Sequence, residues 1–198
     1  MVMLNNFDRK ISQKINWRLL QSERDLLKTT SHRVQNELMR HQLSAVTGRV
    51  DDYLLDCLIA LGFDSENLVA IRYAPVAEVA WASGKVTQHE RVFAVTAAFE
   101  SDMQSVPAAF DLFKSWLEKR PNPALWALWE EYTVAQLECC GQSREKGFGH
   151  QLYEIASRVA RASGGLLDQG DVCVTEQRVL DRIARVYRLS PEYLRKCS

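Results

Sequence analysis

The sequence predicts an all-α fold, an antiparallel helical bundle of about eight or nine helices with pseudo-twofold duplicated halves, preceded by an N-terminal amphipathic helix. Three observations carry that reading. Apolar residues recur at steps of three and four, and no stretch alternates convincingly with a period of two. Capping residues, prolines and glycines stand at short intervals, where helices start and stop. The hexapeptide VAWASG at 79–84 returns, with one letter changed, as VARASG at 159–164.

Residues 7–46 read as one long helix or two joined ones. Phe7, Ile11, Ile15, Leu19, Leu26, Leu27, Val34 and Leu38 form an apolar stripe. Ser22 in SERD could cap a second helix inside this region. TGRVDD at 47–52 is a turn with Asp51 as the next cap, and Gly62 is placed to end the short helix after it. A helix over roughly 66–82 then stops at Gly84. Thr87 and Glu90 have capping-box spacing: the hydroxyl takes the N3 amide and the carboxylate reaches back to the cap amide. SVPAAF and PNPALW each open a helix with proline in or near its first turn. CCGQSREKGFGH interrupts the pattern before a helix at about 148–162. GGLLDQGDV is a loop, Thr175 begins the next helix, and Ser190 with Pro191 starts the last.

Each repeat is an apolar helix end followed by Ser-Gly, Ser83-Gly84 and Ser163-Gly164. Glycine takes the left-handed conformation of a helix C-terminus without a Cβ penalty. Val-Thr comes next in both copies, at Thr87 and Thr175, and then a new helix. One such turn is an ordinary helical hairpin. Two in matching order suggest an internal duplication.

These turns, in LVAIRYAPVAEVAWASGKVTQHERVFAVTAAF (68–99) and LYEIASRVARASGGLLDQGDVCVTEQRVLDRIARVYRLSPEYL (152–194), resemble the TerB family of tellurite-resistance-associated helical domains. That family carries an Ala-Asp-Gly turn between two helices and a glutamate at the start of the second. FDLFKSWLEKRPNPALWALWEEY is similar to the stretch between the units in longer members. The resemblance covers roughly 50–195 and divides the chain into an N-terminal helical extension, 1–46, and a TerB-like helical domain, 47–198. It implies an all-helical bundle with pseudo-twofold halves, an intracellular stress or membrane-associated complex, and a metal site at acidic turns. This chain departs from the pattern. Ser83 and Ser163 replace the turn aspartates, and neutral hydroxyls are far weaker ligands for Ca²⁺ or Mg²⁺ than carboxylates. Glu90 fits the family glutamate, but counting from Thr175 the second copy has Arg178, with Glu176 nearby and shifted. Asp168, Asp171 and Glu176 are the acids a second-turn cation would use, though loop acids are usually just solvated. The expectation is therefore no cofactor, with a divalent cation as the alternative.

Composition excludes more than it selects. Lys plus Arg and Asp plus Glu both number 25, so a neutral chain has no general attraction for nucleic acid or anionic lipid. Apolar residues are 46%, enough for a real core. The opening MVMLNNFDRKISQK lacks the apolar run of a signal peptide, and no uncharged stretch approaches a membrane span. Five scattered cysteines without a C-x-x-C pair suggest reduced thiols in a cytoplasm. Cys139-Cys140 reads as inert thiols at a helix end, and the four histidines are isolated. No phosphate loop, H-E-x-x-H or G-x-S-x-G is present, so no reacting constellation is expected. The arginines at 178, 182, 185, 188 and 195 give the C-terminus a helix-turn-helix look, with a solvated basic face as the simpler reading. Of five tryptophans, Trp17, Trp126 and Trp129 are the candidates for a partner interface. The reading is a cytoplasmic, non-catalytic interaction or sensing module of a stress-response assembly, with a protein partner or self-association. A divalent-metal-binding TerB-type protein is the alternative, and DNA binding through the C-terminal helices is a distant one.

Overall fold

The computed structural model describes residues 34–48, 50–139, 142–162 and 172–197. Among the described residues there are nine α-helices, two 3₁₀ segments and no strand. Helix α1 covers residues 34–47. It is followed by α2 (Asp52–Ala60), α3 (Ala74–Trp81), α4 (Gln88–Phe99), α5 (Pro107–Glu118), α6 (Ala124–Cys139), α7 (Gln142–Ala162), α8 (Val174–Val186) and α9 (Pro191–Cys197). The chain is an all-α bundle, and none of the described helices is long and apolar enough to cross a membrane.

Local chemistry places most boundaries. Asp51 caps α2 by accepting from the Leu54 amide at 2.7 Å. Gly62 follows α2 with φ +85°, and Gly84 follows α3 with φ +95°. Pro107 is the first residue of α5, where its missing N–H costs nothing. Ser190 accepts from the Tyr193 amide at the start of α9.

Two expected boundaries are different. The helix expected over 66–82 is divided into a 3₁₀ segment, Leu68–Tyr73, and α3. Pro75 explains the division. It has no N–H to give the carbonyl of residue 71, and its ring would crowd that carbonyl. A helix can therefore begin at Ala74 but cannot run through it, and the amide of Ala74 bonds Ile71 O in the tighter pattern. The second difference is α7, which starts at Gln142 instead of near 148 and carries Gly147 and Gly149 within it. Gly149 lies against Tyr187, and a Cβ there would meet the Tyr187 Cβ at 2.7 Å and its ring closer still. The glycine is a packing requirement of the helix, not a break in it.

Helices α3 and α7 are the centre of the bundle. Ala74, Pro75, Val76, Ala77, Val79 and Ala80 of α3 are all buried. Leu152, Ala156, Val159 and Ala160 of α7 are buried at helical spacing. Alanines on both helices let the backbones approach closely. The second helix of each repeat crosses to the other repeat: α4 packs on α7, and α8 packs on α3 as well as on α7. Helices α5 and α6 complete the core with Phe113, Trp116, Leu117, Leu128 and Trp129.

Helix α1 is the outlier. Leu43 and Thr47 are buried, but the stripe residues Val34 and Leu38 are 64% and 51% exposed. The described end of the N-terminal stripe is therefore not covered by the bundle.

Candidate functional site

The two duplicated turns provide the first set of sequence-derived site residues. In the first, Ser83 Oγ donates to Lys85 O at 3.0 Å, and Gly84 N donates to Trp81 O at 2.9 Å. Thr87 is the N-cap of α4. Its hydroxyl accepts from the Glu90 amide, and Glu90 Oε2 accepts from the Thr87 amide at 2.6 Å. In the second copy Ser163, Gly164, Asp168 and Asp171 lie outside the described residues. The start of α8 differs from the expectation. Thr175 does not cap α8; it sits inside the first turn, and Cys173 is the cap. Cys173 Sγ accepts from the Glu176 amide at 3.5 Å, and Glu176 Oε2 accepts from the Cys173 amide at 2.8 Å. Glu176 is therefore the true counterpart of Glu90, and Arg178 is not. The correspondence is obscured in the sequence because cysteine is not a usual capping residue. The signal that could have found it is Val-x-x-x-Glu, Val86 to Glu90 and Val172 to Glu176.

Both glutamates are buried, and in both the second oxygen, Oε1, has no hydrogen-bond partner. A calcium or magnesium ion needs several oxygens around one point. The first turn has one free carboxylate oxygen, with Ser83 and Thr87 already bonded, so its donor set does not fit such an ion. The geometry of both boxes is that of helix starts anchored in the core.

The tryptophan candidates separate. Trp17 lies outside the described residues. Trp129 is core, not surface: it is fully buried, stacked on Trp126 at 4.8 Å and close to Tyr187. Trp126 is half-buried under Arg182, whose guanidinium carbon is 4.9 Å from the ring centroid. Arg182 Nε also donates to Glu130 at 2.8 Å. That arginine of the basic C-terminal row is half-buried and engaged with Glu130 and Trp126 of α6.

A polar pocket of about 70 Å³ lies among Arg72, Tyr132, Thr133, Gln136, Glu145 and Tyr187. Arg72 pairs with Glu145 at 3.4 Å and covers the Phe148 ring at 3.6 Å. The opposite charges neutralise each other. Burial pushes the Tyr187 phenol well above its ordinary value, against a hydrogen bond with Thr133 that acts the other way.

Among the described residues, an open groove lies between α2 and α6. It has two adjoining stretches, of about 390 and 250 Å³, which share Tyr53 and Glu131. On α6 the groove runs along Ala124, Ala127, Glu131, Val134, Ala135 and Glu138, a row at steps of three and four. Tyr53 is 70% exposed and Val134 42%, and both are apolar surface lining the groove. Asp51, Glu131 and Glu138 place carboxylates along it. Compared with known proteins, the chain matches no family model, no curated protein and no solved structure. Sequence reasoning missed the groove because its two walls are some seventy residues apart in the chain, and only the fold brings Tyr53 beside Glu131.

Proposed function

We propose that this protein is a non-catalytic interaction module, and that the α2/α6 groove is where it holds a partner segment. One observation supports this above the others: exposed Tyr53 and Val134 lie together in a groove edged by carboxylates. Such a surface suits an amphipathic helix with a basic rim. The apolar face of that helix would leave water in the groove, and its Lys and Arg would meet Glu131 and Glu138. The alanines at 124, 127 and 135 leave room for a second backbone to approach. The wider setting, a stress-response assembly of the tellurite-resistance type, rests on the resemblance of the repeated turns alone.

A photo-crosslinking residue placed at position 134 of the full chain, in cells, tests the reading. The expected result is a crosslink to a basic helical segment. The crosslink should disappear with Tyr53→Ala and with Glu131→Lys while the melting temperature stays unchanged. A crosslink pattern identical in wild type and both variants would rule the groove out as the binding surface.

A further inference from the structure

The proposed partner groove has an occupant of matching chemistry in this same sequence. We infer that residues 7–27 dock in the α2/α6 groove of their own chain, so that an outside partner must displace them. The inference rests on the reading of that groove as a docking surface.

Charge is the first argument. Residues 1–33 contain seven Lys and Arg and three Asp and Glu, an excess of four positive charges. The whole chain is neutral, so residues 34–198 carry four more acids than bases. Attraction between a basic segment and an acidic groove in one molecule follows from that division.

Spacing is the second. Lys10, Lys14 and Arg18 recur every four residues, and Ile11, Ile15 and Leu19 recur in the adjoining row. In a helix the basic row would extend about 12 Å, at about 1.5 Å per residue. Glu131 and Glu138 lie seven residues apart on α6, a rise of about 10 Å, with Val134 and Ala135 between them. An apolar row beside a basic row is what an apolar groove edged with carboxylates accepts.

Tethering is the third. Arg40 Nε donates to Asp56 of α2 at 3.1 Å, and Gln136 of α6 donates to Thr47 O at 3.0 Å. Helix α1 is thus held against the same two helices that form the groove. Residues 28–33, Lys-Thr-Thr-Ser-His-Arg, lie in the sequence between that segment and the first described residue of α1, position 34. Six residues can span at most about 20 Å, close to the length of α1 itself. Thr29, Thr30 and Ser31 are residue types that favour helix ends and turns. A tether this short gives millimolar effective concentration, so weak contacts are enough to keep the groove filled.

Hydrogen exchange on the full chain, measured by peptide over residues 7–27, tests the inference. Exchange there should be at least about tenfold slower than in an unstructured chain. Glu131→Lys with Glu138→Lys should abolish the protection, as should Lys10→Glu with Lys14→Glu. The four substitutions together should restore part of it, which a merely unfolded variant cannot do. Exchange at the same rate in wild type and in both charge-reversed variants would overturn the inference. Protection that grows with protein concentration, together with a doubled mass in sedimentation, would also overturn it, because a second copy would then supply the segment. The crosslinker at position 134 separates the two readings. Capture of another protein with residues 7–27 freely exchanging ends this inference and leaves the groove as a partner site. Capture of neither ends both.

Discussion

Glu90 and Glu176 each do two things with one oxygen and nothing with the other. Oε2 satisfies the amide of the cap residue, and the negative charge lies at the positive end of a helix. Oε1 is buried without a partner, so the carboxylate is tolerated for the box it closes. Glutamine keeps the accepting oxygen. Glu90→Gln and Glu176→Gln are therefore expected to change unfolding free energy by less than about 1 kcal/mol, whereas alanine at either position should cost about 1–2 kcal/mol through the lost cap and the space left behind. Urea denaturation of the four variants measures this. Tyr187 offers a test by pH. Its buried phenol holds its proton more tightly in the folded state than in the unfolded chain. The stability this provides is intact below about pH 10, the ordinary tyrosine value, and is lost as pH rises above it. Tyr187→Phe should lose about 1 kcal/mol at neutral pH with the Thr133 hydrogen bond, and should flatten the decline in melting temperature above about pH 10. An unchanged alkaline slope would place the titrating group elsewhere.

Helix α7 contains a contrast between two glycines two residues apart. Gly147 has open space where a Cβ would go, and Gly149 faces Tyr187. Alanine in a helix interior gains roughly 0.5–1 kcal/mol over glycine. Gly147→Ala should therefore stabilise the protein by about that amount. Gly149→Ala should destabilise it by about 1–3 kcal/mol, because the Tyr187 ring is packed against Trp129 and Phe148 and cannot give way. Thermal melts that move in the same direction for both variants would contradict the packing reason. The same pair explains what sequence reading can reach. Asp51, Thr87, Pro107 and Ser190 act on amides within three residues or fix their own φ, so their effects are legible in one dimension. Gly149 looks like a helix breaker until Tyr187, distant in sequence, is beside it. Cys173 is a cap of unusual type, shown by the Glu176 amide on its sulfur and the Glu176 carboxylate reaching back, and legible in the sequence only through the spacing from Val172 to Glu176. The α2/α6 groove joins two helices whose local patterns carry no sign of each other.

At the scale of the whole molecule, the crossing of helices between repeats decides how the protein unfolds. Were α3 with α4 and α7 with α8 separate hairpins, the two repeats could open one at a time. Instead α4 rests on α7, and α8 rests on α3. Removing either repeat strips the partner surface from a helix of the other. The central pair is also tightly packed, with Ala77 and Ala80 on one helix and Ala156 and Ala160 on the other, all buried. A leucine at Ala77 or Ala156 adds three carbons to a fully buried position, and overpacking of this kind costs about 1–3 kcal/mol. The consequence should reach both repeats together. Trp81 fluorescence, with the other tryptophans replaced by phenylalanine where the fold permits, reports on α3. The amides of α8 in hydrogen exchange report on the second repeat. In wild type and in Ala77→Leu the two probes should give one coincident denaturant midpoint, lower in the variant, because neither repeat retains its packing once the other is lost. If the α8 amides stayed protected at a denaturant concentration where the Trp81 signal had already been lost, the repeats would be independent units. The exchange of helices would then be a feature of packing without a role in cooperativity.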